Sequence, residues 1–178
     1  MAVETALRDG TPAVVWPLLP GDREVLRAVW SRMSPESRFR RFFIDLPELG
    51  EDLLHLLVDT VDGVDHVALV LIALPADGTE EVAGIGRVVR DPDRPGVADV
   101  AVGVPDEWQG RGVATALLAE LVSRRPAGVH RLATHVVAGN AASMAMLARL
   151  GELVVTGVDH GVNDVEIDLR EQCARVAA

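Results

Sequence analysis

The sequence predicts a mixed α/β (α+β) layer architecture from three observations: helical spacing of apolar residues between positions 20 and 43, three short valine-rich runs between 66 and 104, and alternating helix and strand patterns after 112. The expected order is β-α-α-(α)-β-β-β-α-β-α-β-β, a mostly antiparallel central sheet of about six or seven strands flanked by helices.

Each element has a local reason. The apolar run Ala13 to Leu19 reads as the first strand. "PGDREVLRAVWSRM" places Val25, Leu26, Val29, Trp30 and Met33 at spacings of three and four, the stripe of an amphipathic helix. Ser34-Pro35-Glu36-Ser37 supplies an N-cap and a proline at the first helical position, which starts a second helix, "SPESRFRRFF". A leucine-rich stretch from about Pro47 to Asp59 reads as a third. After the turn signal "DGVD", the runs "HVALVLIAL", "EVAGIGRVVRD" and "VADVAVGV", separated by "PADGTE" and "PDRPG", read as antiparallel strands joined by hairpins. "GVATALLAELVSRR" is helical and "GVHRLATHVV" a strand. "NAASMAMLARLG" is a further helix with Asn140 near its N-cap and Gly151 at its C-cap, and two strands close the chain. With 178 residues, no internal repeat and no linker-like tract, residues 1–178 are expected to form a single domain.

Composition narrows the function. A net charge of −10 lacks the basic footprint that a nucleic-acid partner requires, and is compatible with a cationic substrate. No charge-free apolar run of about 18 residues is present, and "MAVETALRDG" carries acidic residues where a signal peptide carries basic ones, so a cytoplasmic protein with no membrane partner is expected. The one cysteine, Cys173, excludes an internal disulfide, and the five histidines lack metal-ligand spacing, so no metal is expected. All 17 basic residues are arginine, and lysine and tyrosine are absent.

The stretch "DEWQGRGVATALLAEL", Asp106 to Leu121, sets glycines at 110 and 112 immediately before an apolar helix. Such glycines let the backbone turn tightly and approach a ligand, and a helix N-terminus offers unpaired N–H groups and partial positive charge, so the segment reads as an anion cradle. It lacks the GK[ST] of a P-loop and the GxGxxG of a dinucleotide site. A glycine turn with no ligand is the competing reading of the motif taken alone.

In context, the chain resembles the GCN5-related N-acetyltransferases (GNAT), in which a strand enters a Q/R-x-x-G-x-G/A loop and a helix. Gln109-Gly110-Arg111-Gly112-Val113-Ala114 matches that loop, and Asn140, an apolar helix and Leu150-Gly151 match a second family motif. The resemblance spans roughly residues 13 to 170. Within the superfamily, "LLPGDREVLRAVWSRMSPESRFRRFF", "HVALV" and "ADVAVGVPDEWQGRG" are similar to stretches of bacterial Pat-like protein lysine acetyltransferases. Those often carry an additional regulatory domain, for which 178 residues leave no room.

The resemblance implies that acetyl-CoA is the cosubstrate, with its pyrophosphate on the backbone of Gln109, Gly110, Arg111, Gly112, Val113, Ala114 and Thr115. It also implies that the pantetheine arm runs beside Asn140 and the backbone of Val102 and Val104. Asp99 stands where the Pat-like group has a glutamate general base, and is one methylene shorter. Many relatives protonate the leaving thiolate with a tyrosine; here Leu147 occupies that place, and Ser143, a water or direct loss of the thiolate must serve. Glu152 replaces the family's phenylalanine after the closing glycine.

The expected reaction is transfer of acetyl to an amine by direct attack in a ternary complex, with a protein lysine as acceptor and a small-molecule amine as the alternative. A non-catalytic acyl-CoA-binding module is a competing class, and the expected assembly is a monomer or homodimer. In "SRFRRFF", Arg38, Arg40 and Arg41 are a substrate lip or a CoA phosphate contact in one reading and the solvated face of a helix with phenylalanines in the core in the other. His66 and His135 are acceptor-channel or ordinary strand histidines.

Overall fold

A computed structural model describes residues 1–43 and 46–169; Cys173 lies outside them. Eight strands and five α-helices form among these residues, one or two strands more than expected. The chain divides into two compact units, Met1–Val88 with Ala101–Arg125, and Val89–Val100 with the residues from Pro126 onward.

In the first unit the strands are β1 (Val3–Ala6), β2 (Pro12–Pro17), β3 (His66–Ala73), most of β4 (Glu81–Arg90) and the end of β5 (Val97–Gly103), neighbours in that order. β1 is the unforeseen strand: it pairs antiparallel with β2, Val3 opposite Val15 and Ala6 opposite Pro12. β2 in turn pairs antiparallel with β3, Ala13 opposite Ala73. Nearly every residue of β3 is buried, as its continuous apolar run predicts for a strand covered on both faces.

α1 (Arg23–Ser31) buries Leu26, Val29 and Trp30, and Leu26 and Trp30 join Leu18, Leu54, Leu57 and Val70 in one apolar cluster. α2 (Pro35–Phe42) starts as its sequence predicts: the Ser34 hydroxyl accepts the N–H of Ser37 at 3.2 Å, and the helix stops at Phe43, where φ is +60°. Its phenylalanines diverge from the expectation of a shared core face. Phe42 stands edge-on to Trp30 at 5.3 Å, whereas Phe39 is 46% exposed. The third helix is shorter than expected, α3 (Glu51–Leu54) continuing as a π-helical turn over His55–Asp59. The Asp59 carboxylate, hydrogen-bonded chiefly by Arg23 of α1, holds this turn and is lowered to about pKa 2. α4 (Val113–Ser123) lies against β4 because that strand has glycines where it passes. A Cβ on Gly84 would stand 2.7 Å from Val113 Cγ1, and one on Gly86 would stand 2.9 Å from Leu121 Cδ1.

In the second unit the order is β5, β6 (Arg131–Val137), β8 (Val162–Asp168), β7 (Glu152–Asp159). β6 runs parallel to β5 and antiparallel to β8, which is antiparallel to β7. Val97, Ala98, Val100, Leu132, Val136 and Ile167 are buried. α5 (Ala141–Leu147) ends at Ala148, so Gly151 is not its C-cap. A Cβ on Gly151 would overlap the carbonyl oxygen of Asp168, so this glycine is required by close approach to β8. No described helix is long and apolar enough to cross a membrane.

Candidate active site

The glycine-rich segment turns as its composition requires. Beyond β5 the chain makes one 3₁₀ turn, Asp106–Trp108, then passes through Gly110 at φ +72° and Gly112 at φ +96°, left-handed conformations that glycine adopts without strain. Gly112 is the N-cap of α4. It supplies no capping side chain, and the first turn holds no acidic residue. The starting amides of Val113, Ala114 and Thr115 therefore meet no side-chain cap and no acidic residue of their own turn, and the helix dipole favours an anion there. Thr115 is exposed, while Val113 is buried and anchors the turn.

Two expected ligand residues have their side chains engaged elsewhere. Gln109 Nε2 lies within donating distance of Ser37 Oγ (3.0 Å), the Val104 carbonyl (3.2 Å) and Asp106 Oδ1 (3.3 Å), so this amide braces the loop. Arg111 Nε donates to Asp9 Oδ2 at 2.6 Å and its NH2 to Thr11 Oγ1 at 3.0 Å, with the guanidinium 4.0 Å from the centroid of the Trp108 ring. Trp108 is 2% exposed and its indole N–H donates to Glu81 at 3.3 Å. The side chain of Val102 comes within 3.1 Å of a Cβ placed on Gly86, on the side where Leu121 packs. β5 ends at Gly103, so Val104 has already left the strand.

The same unit holds an apolar pocket that opens to solvent. Leu26, Trp30, Met33, Phe42, Ile85 and Ala101 contribute apolar walls, and Arg41 and Arg87 are the charged residues of the lining. The buried indole N–H of Trp30 has no hydrogen-bond partner among the described residues. Arg38 donates to the carbonyls of Trp30 (3.0 Å) and Pro47 (3.3 Å), while Arg40 pairs with Glu36 at 2.6 Å. Those two arginines are thus structural or solvated, and Arg41 alone of the three reaches the cavity. His66 is a buried strand histidine with Nδ1 3.0 Å from Thr60 Oγ1, its pKa lowered first by burial and then by the charge of Arg87. It does not line the cavity.

In the second unit Asp99 is half-buried on β5, opposite Ala133 of β6. Asn140 and Ser143 are brought together, but through the helix start: Asn140 Oδ1 accepts the backbone N–H of Ser143 at 3.1 Å, the N-cap of α5. Leu147 is buried. His135 is exposed and pairs with Asp164 at 3.3 Å, a strand-surface contact.

Sequence reasoning missed Asp9, Thr11, Trp108 and Ser37. Asp9-Gly10-Thr11 carried a turn signal, with the Thr11 N–H donating to Asp9 Oδ1 at 3.0 Å, but nothing local says what such a turn will touch.

Comparison with known proteins agrees with the loop geometry. The profile of the Acetyltransferase (GNAT) family matches residues 29–151. The acetyltransferase Pat of Mycolicibacterium smegmatis is 32% identical over 168 residues, 94% of this chain, and an acetyltransferase of Pseudomonas aeruginosa is 32% identical over 117 residues. The chain spans 49% and 61% of the length of these two relatives. Among solved structures, the GNAT domain of S. lividans PAT superposes with a TM-score of 0.80 at 31% identity, covering 94% of this chain and 97% of that one. A cAMP-binding acyltransferase from Mycobacterium smegmatis gives 0.61 at 29% identity over 95% of this chain and 47% of its own. With a glycine loop opening onto an uncapped helix and this breadth of similarity, the chain belongs to the GNAT family of acetyltransferases, in its Pat-like branch.

Proposed function

We propose that this chain is a single catalytic domain that transfers acetyl from acetyl-CoA to a lysine side chain of another protein by direct attack in a ternary complex. The observation that carries this reading is the start of α4, where a left-handed glycine N-cap leaves the first-turn amides without a side-chain cap and with no acidic residue in the turn itself. Similarity to Pat and to the PAT GNAT domain supports the lysine acceptor, and the apolar cavity suits the four-carbon stem of such a side chain.

In this scheme the backbone from Gln109 to Thr115 binds the pyrophosphate, and Val102, Val104 and Asn140 serve the pantetheine arm. Asp99, through a water, takes the proton from the attacking amine. The new N–C bond forms as the C–S bond breaks, and the CoA thiolate leaves with a proton from Ser143 or water. The cytoplasm is the proposed compartment.

Acetyl-labelled acetyl-CoA incubated with a cell extract separated into protein and small-molecule fractions tests the reading. The chain has no lysine, so ε-amine autoacetylation cannot contribute to the protein signal. Label on protein lysines should fall by about 100-fold or more in Asp99→Asn, the low end of what a general base supplies, with acetyl-CoA still bound. Label confined to small molecules would move the acceptor to a free amine. Binding without any Asp99-dependent transfer would mark an acyl-CoA-binding module.

A further inference from the structure

Arg111 is flanked by two glycines, so nothing in its own stretch of backbone fixes where its guanidinium points. Three contacts fix it: Asp9 on Nε, Thr11 on NH2, and the Trp108 ring against its face. A fourth contact fixes the peptide itself, since the Arg8 N–H donates to the Arg111 carbonyl at 2.9 Å. The donor turn is closed by its own bonds, Leu7 N–H to the Thr11 carbonyl and Gly10 N–H to the Leu7 carbonyl, both 2.9 Å. It sits so near the loop that a Cβ on Gly112 would lie 3.3 Å from the Arg8 nitrogen.

We infer that Asp9 and Thr11, in the turn between β1 and β2, are positioning residues that preorganise the acyl-CoA loop by clamping Arg111. The inference rests on the proposed acetyl-CoA site. It assigns the contribution of Arg111 to its backbone amide, with its guanidinium spent on Asp9 and on the ring. Loop amides that converge on a phosphate only in one backbone conformation bind it weakly if glycines let the loop wander, and a clamp that removes those conformers in advance lowers the ordering cost of binding. The clamp uses what distinguishes arginine from lysine, a planar fork with several donors and a face that stacks on an indole.

The test is calorimetric binding of acetyl-CoA together with steady-state kinetics. Asp9→Ala should raise the Kd and the KM for acetyl-CoA together by about tenfold, the order expected when a few loop residues must be ordered on binding. It should leave kcat at saturation and the KM for the acceptor near wild type, a split that a general loss of fold stability would not produce. Asp9→Glu should restore part of the affinity. Arg111→Lys should resemble Asp9→Ala, and the double variant should be no weaker than either single change, because both remove the same clamp. Unchanged or tighter binding in Asp9→Ala would overturn the inference, since it would show a released Arg111 to be neutral or itself a phosphate ligand. Failure of the wild-type chain to bind acetyl-CoA at all would overturn the underlying reading and the clamp with it.

Discussion

α4 and α5 each follow a strand and begin in opposite ways. α5 satisfies itself: Asn140 folds its side-chain oxygen onto the Ser143 N–H, and the helix start is closed within four residues. α4 starts on a bare glycine at φ +96°, with no capping side chain and no acidic residue in its first turn, and is held from outside by the turn at Asp9. Orphan amides at a helix start cost free energy unless water or a ligand takes them. The contrast therefore distinguishes a terminus completed by its own sequence from one completed by a partner, and the GNAT membership of the chain identifies the partner class as an acyl-CoA.

Reversing the chemistry at the start of α4 should have the largest effect. Gly112→Glu places a side chain at a left-handed φ and a negative charge at the positive end of the dipole. Acetyl-CoA affinity should fall by at least about 100-fold, the combined scale of backbone strain and a reversed helix-end charge. Isothermal titration reads it, with Gly112→Ala separating strain from charge. Retained affinity in Gly112→Glu would place the pyrophosphate elsewhere.

The corresponding change in α5 should register in folding first. Asn140→Ala removes an N-cap and should cost about 1 kcal/mol in urea unfolding. Asn140→Asp keeps an oxygen acceptor for the Ser143 N–H and should keep that stability. It loses the amide donor, so if Asn140 also serves the pantetheine arm, its acetyl-CoA affinity should drop while the unfolding midpoint stays. An Asp variant with wild-type affinity would make Asn140 a cap and nothing more.

This asymmetry also explains what was legible in the sequence. Features with local causes could be read: the Ser34 cap with Pro35 behind it, the stripe of α1, the glycine turn at 110 to 112. The Asn140 cap was legible too, from an asparagine placed just before an apolar helix. Features made by distant partners could not be read. β1 is four residues long and exists because Val3 to Ala6 find β2. The demand on Gly151 comes from the carbonyl of Asp168. Arg111 pairs with Asp9, 102 residues earlier in the chain, so nothing in the loop motif itself shows where its side chain goes. The side chain of Gln109 is a similar case, because the hydroxyl of Ser37 that it braces against lies 72 positions away.

The smallest expected effect follows from how the two helix starts respond to acid. The Asp9 carboxyl is lowered from 3.8 to about 2, first by the Thr11 backbone N–H, then by the Thr11 hydroxyl and Arg111. A carboxyl with a depressed folded pKa contributes stability that is fully present above the unfolded value and is lost as pH falls through the folded one. The difference in urea midpoint between wild type and Asp9→Asn should therefore be constant from neutral pH down to about 4 and should shrink from there toward pH 2. The difference between wild type and Asn140→Ala should show no such trend, because the α5 cap is a neutral amide with no proton to gain. Parallel pH dependence in both pairs would mean that acid acts on the fold at large, and that the carboxylate at Asp9 has no special hold on the loop.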